Sequence, residues 1–66
     1  MQVIINGEER SLTQGITVAE LLVQLGIIEG RVAVEINRDI VPKAQYGTHL
    51  LNEADRIEIV HFVGGG

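Results

Sequence analysis

One short stretch of this chain carries a helical period, and nearly everything around it carries the period of a strand. Between Thr17 and Gly26 the apolar residues Val18, Leu21, Leu22 and Leu25 fall at i, i+3, i+4 and i+7, which lines one face of a helix. Thr17 is a good N-cap, and Glu20 three residues later completes a capping box. Gly26 stands where a left-handed residue ends a helix. A helix of about two to three turns is not held by propensity, so its stripe must be buried against another element.

The flanking segments supply that element. Met1, Val3 and Ile5 alternate with Gln2 and Ile4, and Asn6-Gly7 then gives the strongest short hairpin signal, because both turn positions need positive φ. Glu8 to Leu12 reads as the returning strand and Thr13 to Ile16 as a loop. Val32, Val34 and Ile36 alternate with Ala33, Glu35 and Asn37 as a third strand. Asn37-Arg38-Asp39 turns the chain into a short fourth strand at Ile40-Val41, which Pro42 stops or places at an edge. Lys43 to Asp55 reads as irregular, pinned to the core by Leu50 and Leu51, with Glu53 and Asp55 in an exposed turn. Arg56 to Val60 is the last strand, with Ile57 and Ile59 inward and Glu58 and Val60 outward. A hairpin followed by a crossover helix predicts an α+β domain, a mixed sheet of about four to five strands with one main helix packed across one face. The terminal strand is expected deep in the sheet.

A 66-residue chain is one small domain, and with no cysteine it has neither a disulfide nor a thiolate metal site to stabilise it. The core must therefore come from Val, Ile and Leu, since Tyr46 and Phe62 are the only aromatic residues. Absence of cysteine fits an intracellular protein. The apolar runs are too short for a membrane span, and no basic-then-apolar start marks a signal peptide, so a cytoplasmic location is expected. The net charge is −4 and the arginines form no stripe, which argues against nucleic acid as a partner and for a basic patch on another protein. Nothing in the pattern points to a self-interface, so a monomer is expected.

No catalytic constellation appears. Ser11 has no histidine near it, and His49 and His61 lack metal-ligand partners at standard spacing. The internal glycines stand singly, as turns and caps rather than a phosphate loop. What remains is Gly64-Gly65-Gly66 at the end of the chain. A folded domain gains little by ordering three glycines. Extended, they reach about 10 Å and carry no Cβ, enough to bring a carboxylate into a narrow cleft of another protein. A frayed terminus is the alternative reading. The outward residues Ile4 and Val60, together with Phe62, would form an apolar docking group beside this tail, set against the reading of ordinary scattered surface residues.

Taken in order, Asn6-Gly7, Thr17-Val18-Ala19-Glu20-Leu21-Leu22, Val32-Ala33-Val34-Glu35-Ile36-Asn37, Ile40-Val41-Pro42-Lys43, Asp55-Arg56-Ile57-Glu58-Ile59-Val60 and Val63-Gly64-Gly65-Gly66 resemble the ubiquitin-like β-grasp sulfur carriers. Within them the pattern is most similar to the thiamin-biosynthesis carriers of the ThiS family. Coverage is end to end. One departure is Ala54-Asp55, where the family commonly has Gly-Asp before the last strand.

The resemblance implies a β-grasp domain over residues 1–63 and a glycine tail over 64–66. It implies that the chain is no enzyme and holds no cofactor itself. An adenylating enzyme similar to ThiF would use ATP to activate the Gly66 carboxylate, with Gly64 and Gly65 as the threaded tail. A persulfide from a cysteine desulfurase or sulfurtransferase would convert Gly66 to a thiocarboxylate. Thiazole synthase, similar to ThiG, would take the sulfur. Three other readings stay open: a molybdopterin synthase small subunit, a ubiquitin-like modifier joined through Gly66, and a plain β-grasp binding domain. The first tends to be longer, with a proline on the approach to its tail, whereas here Phe62-Val63 leads directly into glycine. A β-grasp ferredoxin is excluded, because its cluster needs cysteine thiolates.

Overall fold

In the computed structural model, which describes residues 1–62, the chain forms β1 (Gln2–Ile5), β2 (Glu8–Ser11), α1 (Val18–Gln24), β3 (Val32–Ile36), β4 (Asp39–Ile40) and β5 (Arg56–His61). Short 3-10 turns cover Glu29–Arg31 and Lys43–Gln45. The five strands lie in the order β2-β1-β5-β3-β4. The terminal strand is therefore the central one, parallel to β1 and antiparallel to β3.

Local sequence sets each element. Asn6 and Gly7 take φ of 49° and 84°, the left-handed turn that matches strand twist, and this fixes Ile5 opposite Glu8. Alternation then sends Val3 and Ile5 of β1, Ile57 and Ile59 of β5, and Val32, Val34 and Ile36 of β3 into one core. The helix covers that face with Val18, Leu21 and Leu22, all buried. Its capping box is reciprocal: the Thr17 hydroxyl accepts from the Glu20 amide at 3.2 Å, and the Glu20 carboxylate accepts from the Thr17 amide at 2.9 Å. At the other end Gly26 has φ 71°, and the amides of Gly26 and Ile27 donate to Val23 and Leu22.

The segment between β4 and β5 differs from its sequence reading. Leu51 is buried, but Leu50 is 54% exposed, because Leu50 bridges to Thr17 in extended backbone and neighbouring side chains there point opposite ways. Tyr46 does the pinning instead. Its side chain is 1% exposed and its carbonyl accepts from Ala19 at the start of the helix. Burial pushes the Tyr46 phenol pKa up. The fourth strand covers Asp39–Ile40 rather than Ile40-Val41, and Val41 turns into the core.

The turn entering β5 is exposed at Asn52, Glu53 and Ala54, as expected, but not at Asp55. Asp55 is buried, its carboxylate accepting from the Asn52 amide at 2.8 Å and the Asn37 side chain at 3.0 Å. Asn37 also accepts from the Arg56 amide at 3.0 Å, so the β3–β4 turn is tied to the start of β5. Ala54 sits in the left-handed region, at φ 69°, where its main-chain amide donates a hydrogen bond to the Gln2 carbonyl at 2.7 Å. That conformation costs a residue with a Cβ about 1–2 kcal/mol.

Three measurements test this account. Ala54→Gly relieves the strain at an entropic cost of about 0.5–1 kcal/mol, so a net gain of about 0.5–1 kcal/mol is expected as a higher urea midpoint at unchanged slope. A lower midpoint would contradict it. Thr17→Ala should lower stability by about 1 kcal/mol through loss of the N-cap. The bonds from Thr17 hold the Glu20 carboxyl below its ordinary value of 4.5. A depressed folded pKa contributes stability above the unfolded value, and the contribution is lost as pH falls through the folded one. The stability difference between the protein and Glu20→Gln should accordingly narrow as pH drops below about 4.5; a difference independent of pH there would refute the cap's ionic character.

Candidate functional site

Along β5 the outward residues are Arg56, Glu58 and Val60, and Phe62 follows at the point where the strand leaves the sheet. Val60 is 53% exposed and Phe62 61%. Ala33 lies opposite Val60 in β3, and Glu35 lies opposite Glu58. The exit is held from the β3 side. The Phe62 amide donates to the Arg31 carbonyl at 3.0 Å. Lys43 places its ammonium 5.4 Å from the centre of the Phe62 ring while donating to the Gly30 carbonyl at 3.2 Å.

The β1 side is held differently. β1 ends at Ile5, and the last main-chain bond of its ladder runs from the Asn6 amide to the Ile57 carbonyl at 2.9 Å. The Asn6 side chain then stands in for the missing strand. Its Oδ1 accepts from the Ile59 amide at 2.8 Å, and its Nδ2 donates to the Ile59 carbonyl at 3.2 Å. Beside this clamp lies a cleft of about 460 Å³, lined by Asn6 together with Ile5, Leu25, Ile27, Ile59 and His61.

The structure brings Val60 and Phe62 together on one face at the strand exit. Ile4 lies on the same outward face but is half-buried and sits level with Arg56, so Glu58 stands between it and Val60 along the strand direction. Gly64, Gly65 and Gly66 lie outside the described residues. Two residues that matter here carry no functional signal in the sequence. Asn6 reads only as a turn former, and Lys43 reads only as a loop cation. Among the described residues no three His, Asp or Glu side chains converge as metal ligands, and no helix is long and apolar enough to cross a membrane. The arrangement is a core-anchored strand that ends at a surface of mixed apolar and charged groups.

Comparison with known proteins agrees with this geometry. The sequence profile described as the ThiS family matches residues 3–66. The chain is 35% identical over its full length, and over the full length of the relative, to sulfur carrier protein ThiS of Escherichia coli. It is 48% identical over 66 residues to a thiazole synthase of Paramagnetospirillum magneticum, but covers only 20% of that protein. The first curated relatives it matches are thus about five times its length, since it spans 20% of each. The crystal structure of a thiamine biosynthesis protein (ThiS) from Geobacter metallireducens superposes with a TM-score of 0.86 at 26% identity, with both chains fully covered. A five-stranded mixed sheet under one helix, with its terminal strand in the middle and its profile matched from Val3 to Gly66, places this chain in the ThiS family of ubiquitin-like β-grasp proteins.

Proposed function

We propose that this protein is a sulfur carrier for thiamin biosynthesis, in which the carboxylate of Gly66 is the reacting group. The observation that carries the reading is the full-length match to the sulfur carrier protein ThiS of Escherichia coli. A terminal carboxylate, with a reference pKa of about 3.3–3.7, is ionised at neutral pH and needs no general base. In the active site of an adenylating enzyme it attacks the α-phosphate of ATP, giving an acyl adenylate and releasing pyrophosphate. A persulfide sulfur then attacks the acyl carbon, and AMP leaves. Reductive cleavage of the resulting acyl disulfide by a thiol leaves a thiocarboxylate on Gly66. Thiazole synthase is the acceptor of that sulfur in this reading, supported by relatives of that name which contain a segment like this one. The carrier acts as a co-substrate in the cytoplasm, and the catalytic groups and the ATP site belong to its partners.

Val60 and Phe62, with Ile4 further along the face, are the docking residues of this reading. Both Val60 and Phe62 are more than half exposed, so truncating them removes little from the core. Phe62→Ala should raise the KM for the carrier in adenylation about tenfold, the effect of losing about 1.4 kcal/mol at an interface, while leaving the urea midpoint nearly unchanged. An unaltered KM would remove Phe62 from the docking surface.

The direct test is intact-mass spectrometry after incubation with ATP, an adenylating enzyme and a persulfide donor. The expected result is replacement of one oxygen by sulfur, mapped to Gly66. Gly65→Val should fold normally and fail in ATP–pyrophosphate exchange, because a Cβ now obstructs the threaded tail. Isopeptide-linked ladders on a denaturing gel, with no sulfur gained, would instead favour a protein modifier.

A further inference from the structure

The side chain of Asn6 hydrogen-bonds the strand that leads to the tail, and the residue after it is glycine. That pair has a chemistry of its own. We propose that Asn6-Gly7 is a modification site, at which the side-chain amide is lost as ammonia through a succinimide. The folded protein gates this reaction through the same two hydrogen bonds that hold Ile59.

The step is a cyclisation followed by hydrolysis. The Gly7 main-chain nitrogen, having lost its proton to base, attacks Cγ of Asn6. The Cγ–Nδ2 bond breaks, and the nitrogen takes up a proton and departs as ammonia. Water then opens the five-membered imide at one carbonyl or the other, leaving aspartate or isoaspartate. The sum is one water consumed and one ammonia released, with no change of oxidation state.

Three observations locate the reaction here. Asn6 and Gly7 are both exposed, so water and base reach them. Nothing lies within 4 Å of the place a Gly7 Cβ would occupy, and no side chain on Gly7 itself crowds the attacking nitrogen. The other asparagines, Asn37 and Asn52, are followed by Arg38 and Glu53, whose side chains do crowd it. The gate is equally specific. Both polar atoms of the Asn6 amide are engaged by Ile59, and the Asn6 main-chain amide by Ile57. Swinging Cγ onto the Gly7 nitrogen requires both side-chain bonds to break, so reaction waits on local opening of the hairpin end.

The product cannot restore the clamp. A carboxylate has no donor for the Ile59 carbonyl and sets an oxygen against it. It also adds a negative charge beside Glu8 and Glu9. Isoaspartate inserts a methylene into the main chain and disturbs the pairing of Ile5 with Glu8. In either form β5 loses its hold on the β1 side just before the exit.

The test follows the full-length protein at mildly alkaline pH, folded in buffer and unfolded in urea, by intact mass and peptide mapping. The expected result is a mass gain for NH2 replaced by OH, confined to Asn6, and at least about tenfold slower in the folded protein. The modified fraction, separated by anion exchange, should show a lower urea midpoint and faster amide exchange at Ile59, and Asn6→Asp should reproduce both. Equal rates in the two states would overturn the gate. First reaction at Asn37 or Asn52, or an isolated product with unchanged Ile59 exchange, would overturn the site.

Discussion

The pairing of β5 with strands on both of its sides is the interaction on which the rest of the structure depends. Ile57 and Ile59 are buried between the sheet and the helix, and the ladders to β1 and β3 satisfy the main chain at the centre of the molecule. Remove that strand and two antiparallel hairpins remain, with no contact between them in the sheet. A chain of 66 residues without cysteine has no disulfide to join its two halves; this central strand joins them, helped by the contacts of Tyr46, His49 and Leu51 with the start of the helix.

The exit of the strand is secured by two unlike devices. On the β3 side, the main-chain ladder continues to Phe62, with a cation over the ring. On the β1 side, one asparagine side chain imitates a strand residue, offering a donor and an acceptor to Ile59. A side chain can do this because the carboxamide has the same donor and acceptor pair as a peptide group. The hairpin turn that ends β1 is what puts it there. A single residue thus closes one ladder and caps the next step of another.

The sequence makes the elements legible where a local rule acts alone. The helix shows in its stripe and capping box, the first hairpin in Asn6-Gly7, and β3 and β5 in their alternation, because each is set by neighbours within a few residues. Placing β5 in the centre needed only the crossover argument. The irregular segment was harder to read, since Tyr46 and Leu51 enter the core while Leu50 does not, and that depends on where the segment crosses the helix. Asp55 and Ala54 were opaque for a similar reason. Their surroundings come from Asn37, Asn52 and Gln2, which tertiary pairing brings together. At the candidate site, Val60 and Phe62 followed from alternation, but the offset of Ile4 depends on the parallel register, which no periodicity specifies.

The position of β5 also ties foldedness to completeness. Its partner β1 lies at the opposite end of the chain, so the central parallel contact closes a loop of nearly the whole sequence and forms slowly relative to local pairings. A polypeptide cut before Arg56 is therefore not a shortened copy of the domain but a chain of two hairpins with no strand between them. Such a product carries no formed sheet face. Proteolysis or early termination that removes the tail by cutting before this strand would therefore leave no folded remnant, because the strand that leads to the tail is also the one without which the sheet does not exist.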